Sequence, residues 1–327
     1  MTTRLRLEDL QRAWEARDPR FVDLVVRLAE QPDVKAEPPI REGALTFDKF
    51  IREIGTWKFR KMTREQQMHY RVETLKALVD PNAEVPLNDR LRSYELIWSL
   101  WQSDDPFARR CLLEVIAKVP LVYGPWKALK MIFKEAEAKN DTEIYGALAA
   151  RFDAAFAKGY GYCISKLTLA YLVRRAWRYL RQTAVRLPAT YADVAVDFLA
   201  PYAEDTNFKG SWIANHIFYH ESKQYGRVRF RYHSIPAGGV LKNRAYPELW
   251  QRSPRPLFTL LERAKADSVF QFATESLKTD FRALLRDVEP SWVARLVNVN
   301  SKSVHSFVVW VLTNVPKFEQ AKFRELG

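Results

Sequence analysis

Glycine is scarce in this chain, 11 of 327 residues. A sheet-rich fold with many tight turns needs more of it, so the scarcity favours helices. The two cysteines, Cys111 and Cys163, make neither a disulfide framework nor a metal-ligand spacing. Cys111 sits in an apolar helical stripe and is expected to be a buried, reduced thiol. No apolar run approaches the roughly 20 residues of a membrane span. The opening "MTTRLRLEDLQRAWEARD" lacks the apolar centre of a signal peptide. These absences point to a soluble, cytoplasmic protein without a membrane partner. Glycine-rich phosphate loops are missing too, as is a nucleophile elbow. Carboxylate pairs such as Asp104/Asp105 read as helix caps. No catalytic residue and no cofactor is expected. The close at "AKFRELG" carries no cap, as expected of a piece of something longer.

What is present in excess is positive charge. Lys+Arg number 52 against 39 Asp+Glu, a net charge of +13, which favours polyanionic partners and nucleic acid first among them. Hydrophobic residues at 47% and aromatics at 13% supply a substantial core, so global disorder is excluded.

Helical periodicity dominates the chain. "LEDLQRAWEARDPRFVDLVVRLAEQ" predicts two short helices broken at Asp18-Pro19, because proline disfavours helical dihedrals at the residue before it. Three prolines and a glycine make 32–43 a linker within an N-terminal helical region, 1–86. From residue 87 onward the pattern changes to helix pairs. In "DDPFARRCLLEVIAKVP" Asp105 stands where an N-cap belongs and Pro106 at the first helical position. Ala108, Leu112, Val115, Ile116 and Val119 then share one face. Comparable starts are read at Ser253-Pro254, Ser291 and Ser301. The segments "DDPFARRCLLEVIAKVP", "TLAYLVRRAWRYLRQTA" and "DSVFQFATESLKTDF" resemble the HEAT/ARM family of helical repeats over residues 88–327. That resemblance implies an all-α solenoid of stacked helix pairs with an exposed curved surface. An irregular helical bundle is the competing architecture.

One stretch, 222–250, breaks the pattern. Arg227, Arg229 and Arg231 alternate with Val228, Phe230 and Tyr232, which predicts a strand. Ala237-Gly238-Gly239 reads as a turn and "VLK" as a returning strand, giving a β-hairpin or extended basic loop. Lys223, Lys242 and Arg244 add charge without one acidic residue between 223 and 244, and Tyr225, Phe230 and Tyr232 are placed to stack on bases. A second basic stretch is "YLVRRAWRYLRQTA", 171–184. On a helix Arg174, Arg178 and Arg181 cluster opposite Leu172, Val173, Ala176, Tyr179 and Leu180, with Arg175 on a flank. Guanidinium groups suit bidentate phosphate contact. The expectation is a non-enzymatic nucleic-acid-binding module whose groove joins these arginines to the basic segment. The alternatives are a solvated helix face and an arginine-rich arm on an acidic protein, the latter making the chain an interaction scaffold.

Two chemical readings rank lower. His216 and His220 have i, i+4 metal spacing with His233 or Glu221 as a third ligand, yet the spacing also fits two hydrogen-bonded histidines in aromatic packing. No bound metal is expected. Some HEAT-like proteins are DNA glycosylases for alkylated bases, and Trp98, Trp101 and Asp104 lie close in sequence. Their i, i+3 tryptophans look like core instead.

Overall fold

The computed structural model describes residues 4–31, 57–70, 89–159, 164–226, 236–316 and 318. Among them every regular element is helical, apart from a single bridge residue at Tyr225. The first pair is α1 (Leu7–Glu15) and α2 (Phe21–Glu30), separated where Asp18-Pro19 predicts a break. A short α3 (Trp57–Lys61) and a helical stretch at 64–70 come next. Then come α4 (Asp89–Ser103), α5 (Pro106–Lys118), α6 (Pro125–Lys139) and α7 (Thr142–Lys158). The long α8 (Lys166–Arg186) leads into α9 (Tyr191–Leu199) and α10 (Ile213–Tyr219). Two short pieces, α11 (Gly239–Asn243) and α12 (Pro247–Trp250), precede α13 (Arg255–Arg263) and α14 (Asp267–Asp280). The last are α15 (Pro290–Val297) and α16 (Lys302–Asn314).

Short polar side chains set several helix starts. Asp105 accepts from the amides of Phe107 and Ala108, Asp141 from Ile144, Ser165 from Thr168 and Ser301 from Val304. Each bond satisfies an amide that the helix itself leaves unpaired. At two predicted starts the cap differs. Glu289, not Ser291, occupies the cap position of α15, because the helix begins two residues earlier than predicted, at Pro290. Pro254 holds that position for α13, and the Ser253 hydroxyl still accepts from the Arg255 amide at 3.3 Å.

Helix contacts run along two rows. In one, α1 packs on α4 and α4 on α6, and α8 packs on α10. In the other, α2 packs on α5, α5 on α7, α7 on α9 and α9 on α13. Between the rows, α7 takes contacts from α6, α8 and α10. It is accordingly the most interior helix: Ile144, Tyr145, Leu148, Phe152, Asp153, Ala155 and Phe156 are all buried. Gly146 lets α9 approach closely, since a Cβ there would lie 2.4 Å from the Asp197 carbonyl oxygen. The stripe predicted for α5 is the one found, with Ala108, Leu112, Val115, Ile116 and Val119 buried, and Cys111 is a buried free thiol.

The predicted return strand is a correction. Val240, Leu241 and Lys242 belong to α11, not to a β-strand. Gly238 and Gly239 have φ of 86° and 62°, and this pair of left-handed residues launches a helical turn. The alternating segment 227–235, which carries Arg227, Arg229, Phe230, Arg231 and Tyr232, lies outside the described residues, as do the linker 32–43, Cys163 and His233.

Candidate nucleic-acid interface

The arginine helix α8 has two faces, as its period requires. Leu169, Leu172, Val173, Ala176, Trp177 and Leu180 are buried, while Tyr171, Arg178 and Arg181 are exposed. Ser165 fixes the start, and its hydroxyl also sits 2.9 Å from that of Thr168. No acidic side chain occurs on α8, so any neutralising partner must come from another element.

One flank of α8 faces α6. Arg175 is paired there: its Nε donates to Glu137 at 2.5 Å and its Nη1 to the Tyr171 hydroxyl at 3.0 Å. Burial lowers the Arg175 pKa, the hydrogen bonds and charges of Glu137 and Tyr171 together outweigh it, and the net shift is upward. The Tyr179 hydroxyl donates to Asn140 at the end of α6. Arg175 is therefore a strut between helices, which removes it from the set available to a phosphate.

The other flank faces α10, and here the structure joins two elements that are separate in the sequence. Trp177 stacks on His216 with 4.8 Å between ring centroids and 14° between planes. His220 in turn stacks on Tyr225 at 5.2 Å and 5°. The two imidazoles meet through their Nδ1 atoms at 2.9 Å. This contact needs one ring as donor and the other as acceptor, so the two cannot both be protonated. Burial first, then His220 and Arg181, pushes the His216 pKa down to about 3. Burial and Arg181 also lower that of His220, against Glu221. No cluster of three potential ligands from His, Cys, Asp and Glu occurs among the described residues, and the two imidazoles face one another.

The Asp153 carboxylate of α7 holds this flank in place. Asp153 is fully buried and accepts from the Tyr202 hydroxyl at 2.6 Å, from the Ser211 hydroxyl, and from the amides of Trp212 at 2.7 Å and Ile213 at 3.1 Å. Burial drives its carboxyl above the usual range, opposed by these bonds. It caps α10 from 59 residues away and thereby sets where His216 sits. Trp212 then receives the Arg174 guanidinium, 5.4 Å from its ring centroid, a cation–π contact.

The remaining predicted residues separate into three groups. Arg178 and Arg181 on α8 and Lys223 just after the His220–Ser222 turn are exposed, with no carboxylate partner among the described residues. Tyr225 is engaged with both histidines, so its ring is not an open stacking platform. Lys242 is exposed on α11. Arg244 is a correction: it is 2% exposed and bonds Ser276 at 2.8 Å and Asp280 at 2.6 Å. It is an internal ion pair of α14 and contributes nothing to an outer surface. Periodicity gives no sign of Glu137, Asp153 or the Trp177–His216 stack, all partners distant in sequence.

The opposite row of helices carries a linked set of ion pairs. Arg109 donates to Asp104, Asp141 and Glu143, and Arg263 to Asp197, with Glu143 a further 3.8 Å partner. A groove of about 320 Å³ on that side is lined by Ala147, Ala150, Arg151, Glu204 and Arg263, among others; it carries both signs of charge. The tryptophans weighed as a base-recognition pair are structural: Trp101 is buried and donates to Glu135, Trp98 packs on the core, and Asp104 pairs with Arg109.

No family model, curated protein or solved structure matches the chain. The residues alone carry the functional argument. Among the described residues no helix is long and apolar enough to cross a membrane.

Proposed function

We propose that this chain is an α-solenoid of the HEAT/ARM kind and serves as a non-enzymatic nucleic-acid-binding module. The two rows of helix contacts support the solenoid. So do hydrogen bonds that recur between residues 32 to 38 apart, from Arg109 to Asp141, Trp101 to Glu135, Ser301 to Asp267, Arg244 to Asp280 and Arg175 to Glu137. That separation is about one helix pair, as nearest-neighbour stacking requires.

The observation that carries the function is the exposed, unneutralised arginine pair on one face of α8. Arg109 and Arg263 on one row are neutralised by carboxylates. On the other row, Arg178 and Arg181 stand exposed and unneutralised among the described residues, and Lys223, four residues before Arg227 in the sequence, is exposed as well. Unpaired guanidinium groups on a rigid helix are pre-organised for phosphate. The test is binding of labelled nucleic acid across a salt series. Arg178→Ala/Arg181→Ala leaves the fold intact and lowers the magnitude of the log–log salt slope by roughly 0.7–0.9 per lost contact. An unchanged slope and affinity refutes the reading.

A second reading has one observation in its favour. Leu167, Val185 and Tyr171 on the outer side of α8 are 83%, 75% and 51% exposed, an apolar component that suits a protein partner. A scaffold role predicts that Leu167→Ser/Val185→Ser abolishes association with that partner and leaves nucleic-acid affinity unaltered.

A further inference from the structure

A cleft opens on the row of α5, α7, α9 and α13 because α9 is short. Asp197, two residues before the last residue of α9, accepts from the Thr142 hydroxyl at 2.7 Å, and its carbonyl lies against Gly146. α9 therefore ends level with the first turns of α7, and Pro201 just beyond it cannot continue the helix. The irregular segment 200–206 runs on beside the rest of α7, tied to it where the Tyr202 hydroxyl donates to Asp153. On the other side α5 lies parallel to α7. Arg109 bonds Asp141 near the two helix starts, and Arg151 donates to the Val119 carbonyl at 3.1 Å further along.

The space between is about 320 Å³. Leu113, Ile116 and Ala117 of α5 form one wall, and Ala200, Pro201 and Ala203 the other. The floor is Ala147, Ala150 and Ala154 of α7, whose methyl groups leave the gap unfilled. Ala147 and Ala150 are only 5% and 3% exposed, so the cleft is narrow. It excludes a helix, about 10 Å across, and admits a thin, chain-like or flat molecule. Sites for small ligands begin near about 300 Å³. At the roughly 30 Å³ that one water occupies, this cleft holds about ten non-hydrogen atoms.

The polar lining favours one sign of charge. Arg151, Arg263 and Lys265 face two carboxylates, Glu143 and Glu204. Glu143 is already taken by Arg109 of α5 at 2.8 Å, and Arg263 is matched by Asp197 at 2.9 Å. Glu204 accepts from the Asn300 amide at 2.7 Å. Lys265 is exposed and has no carboxylate partner among the described residues. From this arrangement we infer that the cleft binds a small organic acid, its apolar body on the alanine floor and its anionic head on Lys265 at the mouth. The body displaces water from apolar walls, and the head supplies the charge that Lys265 lacks. The inference goes beyond the proposed function and is independent of the α8 arginines, none of which lines the cleft.

The test is ligand-observed NMR on the whole chain at neutral pH, with octanoate as probe and octanol and octylammonium as controls. Octanoate should bind the wild type roughly 2- to 5-fold tighter than octanol, the range of one exposed ion pair. Octylammonium should bind more weakly than either. Lys265→Ala should bring octanoate down to the level of octanol. Ala154→Phe, at a partly exposed floor position, fills the cleft and should abolish binding of all three, while its melting temperature without ligand reports the fold. Equal binding of octylammonium and octanoate by the wild type overturns the anionic head. Full affinity in Ala154→Phe, or no binding of octanoate to the wild type, overturns the cleft as a ligand site. If Ala154→Phe does not fold, the Lys265→Ala comparison decides, and an octanoate preference that survives it refutes the inference. Nucleic-acid binding through Arg178 and Arg181 should be the same with and without octanoate, so the two readings fail separately.

Discussion

Removing the Asp153 carboxylate is the sharpest perturbation of the region that positions α10. In Asp153→Ala the hydroxyls of Tyr202 and Ser211 and the amides of Trp212 and Ile213 lose their acceptor inside the protein. The Ala214 amide retains the Ser211 hydroxyl at 3.2 Å. Each buried donor left unsatisfied costs about 1–3 kcal/mol. Four of them sum to roughly 4–12 kcal/mol before relaxation. Relief of a buried carboxyl, whose pKa burial pushes upward, offsets part of that. A net loss of about 4 kcal/mol is expected, a large share of the roughly 5–15 kcal/mol that holds a typical domain. Urea unfolding monitored by far-ultraviolet circular dichroism reads it as a lower midpoint at similar slope. Asp153→Asn keeps one acceptor but turns amide hydrogens toward existing donors, so it should not restore the midpoint. Ser211→Ala, which removes one of the four donors and leaves the Ala214 amide its longer bond to Asp153, should lose less, about 1–2 kcal/mol. If Asp153→Ala loses less than about 1 kcal/mol, comparable to an average substitution, then the carboxylate does not organise 211–214 and His216 is placed by something else.

Three further outcomes are expected. Gly146→Ala forces a methyl against the Asp197 carbonyl and should cost at least about 1–3 kcal/mol, because backbone gives way poorly; a midpoint equal to wild type contradicts the close α7–α9 approach. Leu180→Ala removes a fully buried side chain and should cost roughly 2–5 kcal/mol, whereas Arg178→Ala should stay within about 0.5 kcal/mol, both read by urea midpoints. For Asp141, burial raises the pKa, the Arg109 bonds together with the Ile144 amide and the nearby cations outweigh it, and the pKa lies below 3.8. The stability it supplies is thus complete above the unfolded value and lost as pH falls through the folded one. The stability gap between wild type and Asp141→Asn should therefore narrow below about pH 3.8; a gap constant down to pH 2.5 refutes the pairing.

The faces of α5 and α8 are legible in the sequence because 3.6-residue periodicity depends only on neighbours along the chain. The cap at Asp105 is legible for the same reason. Arg244 and Arg175 are not. Each looks like part of a basic run, and each is neutralised by a carboxylate 36 or 38 residues away, a pairing that only helix stacking creates. The two glycines at 238 and 239 suit a hairpin turn and a helix start equally well, because glycine marks positive φ and leaves the next element open. That element is α11. The histidine pair allows metal ligation or mutual hydrogen bonding, and Trp177 and Tyr225 stack on the imidazoles that bond to each other.

The charged contacts on the second row form a relay. Asp104 and Asp141 meet Arg109, Arg109 meets Glu143, Glu143 lies near Arg263, and Arg263 meets Asp197. These links tie α5, α7, α9 and α13 through partly exposed groups, which salt screens more readily than buried ones. In a stack where each unit touches only its neighbours, such interfacial terms decide whether the units melt as one or separately. Ionic strength should therefore act on the cooperativity of unfolding more than on its midpoint. At high salt the α7 core persists while the helices beyond α9 loosen first, so the transition broadens and loses its two-state form.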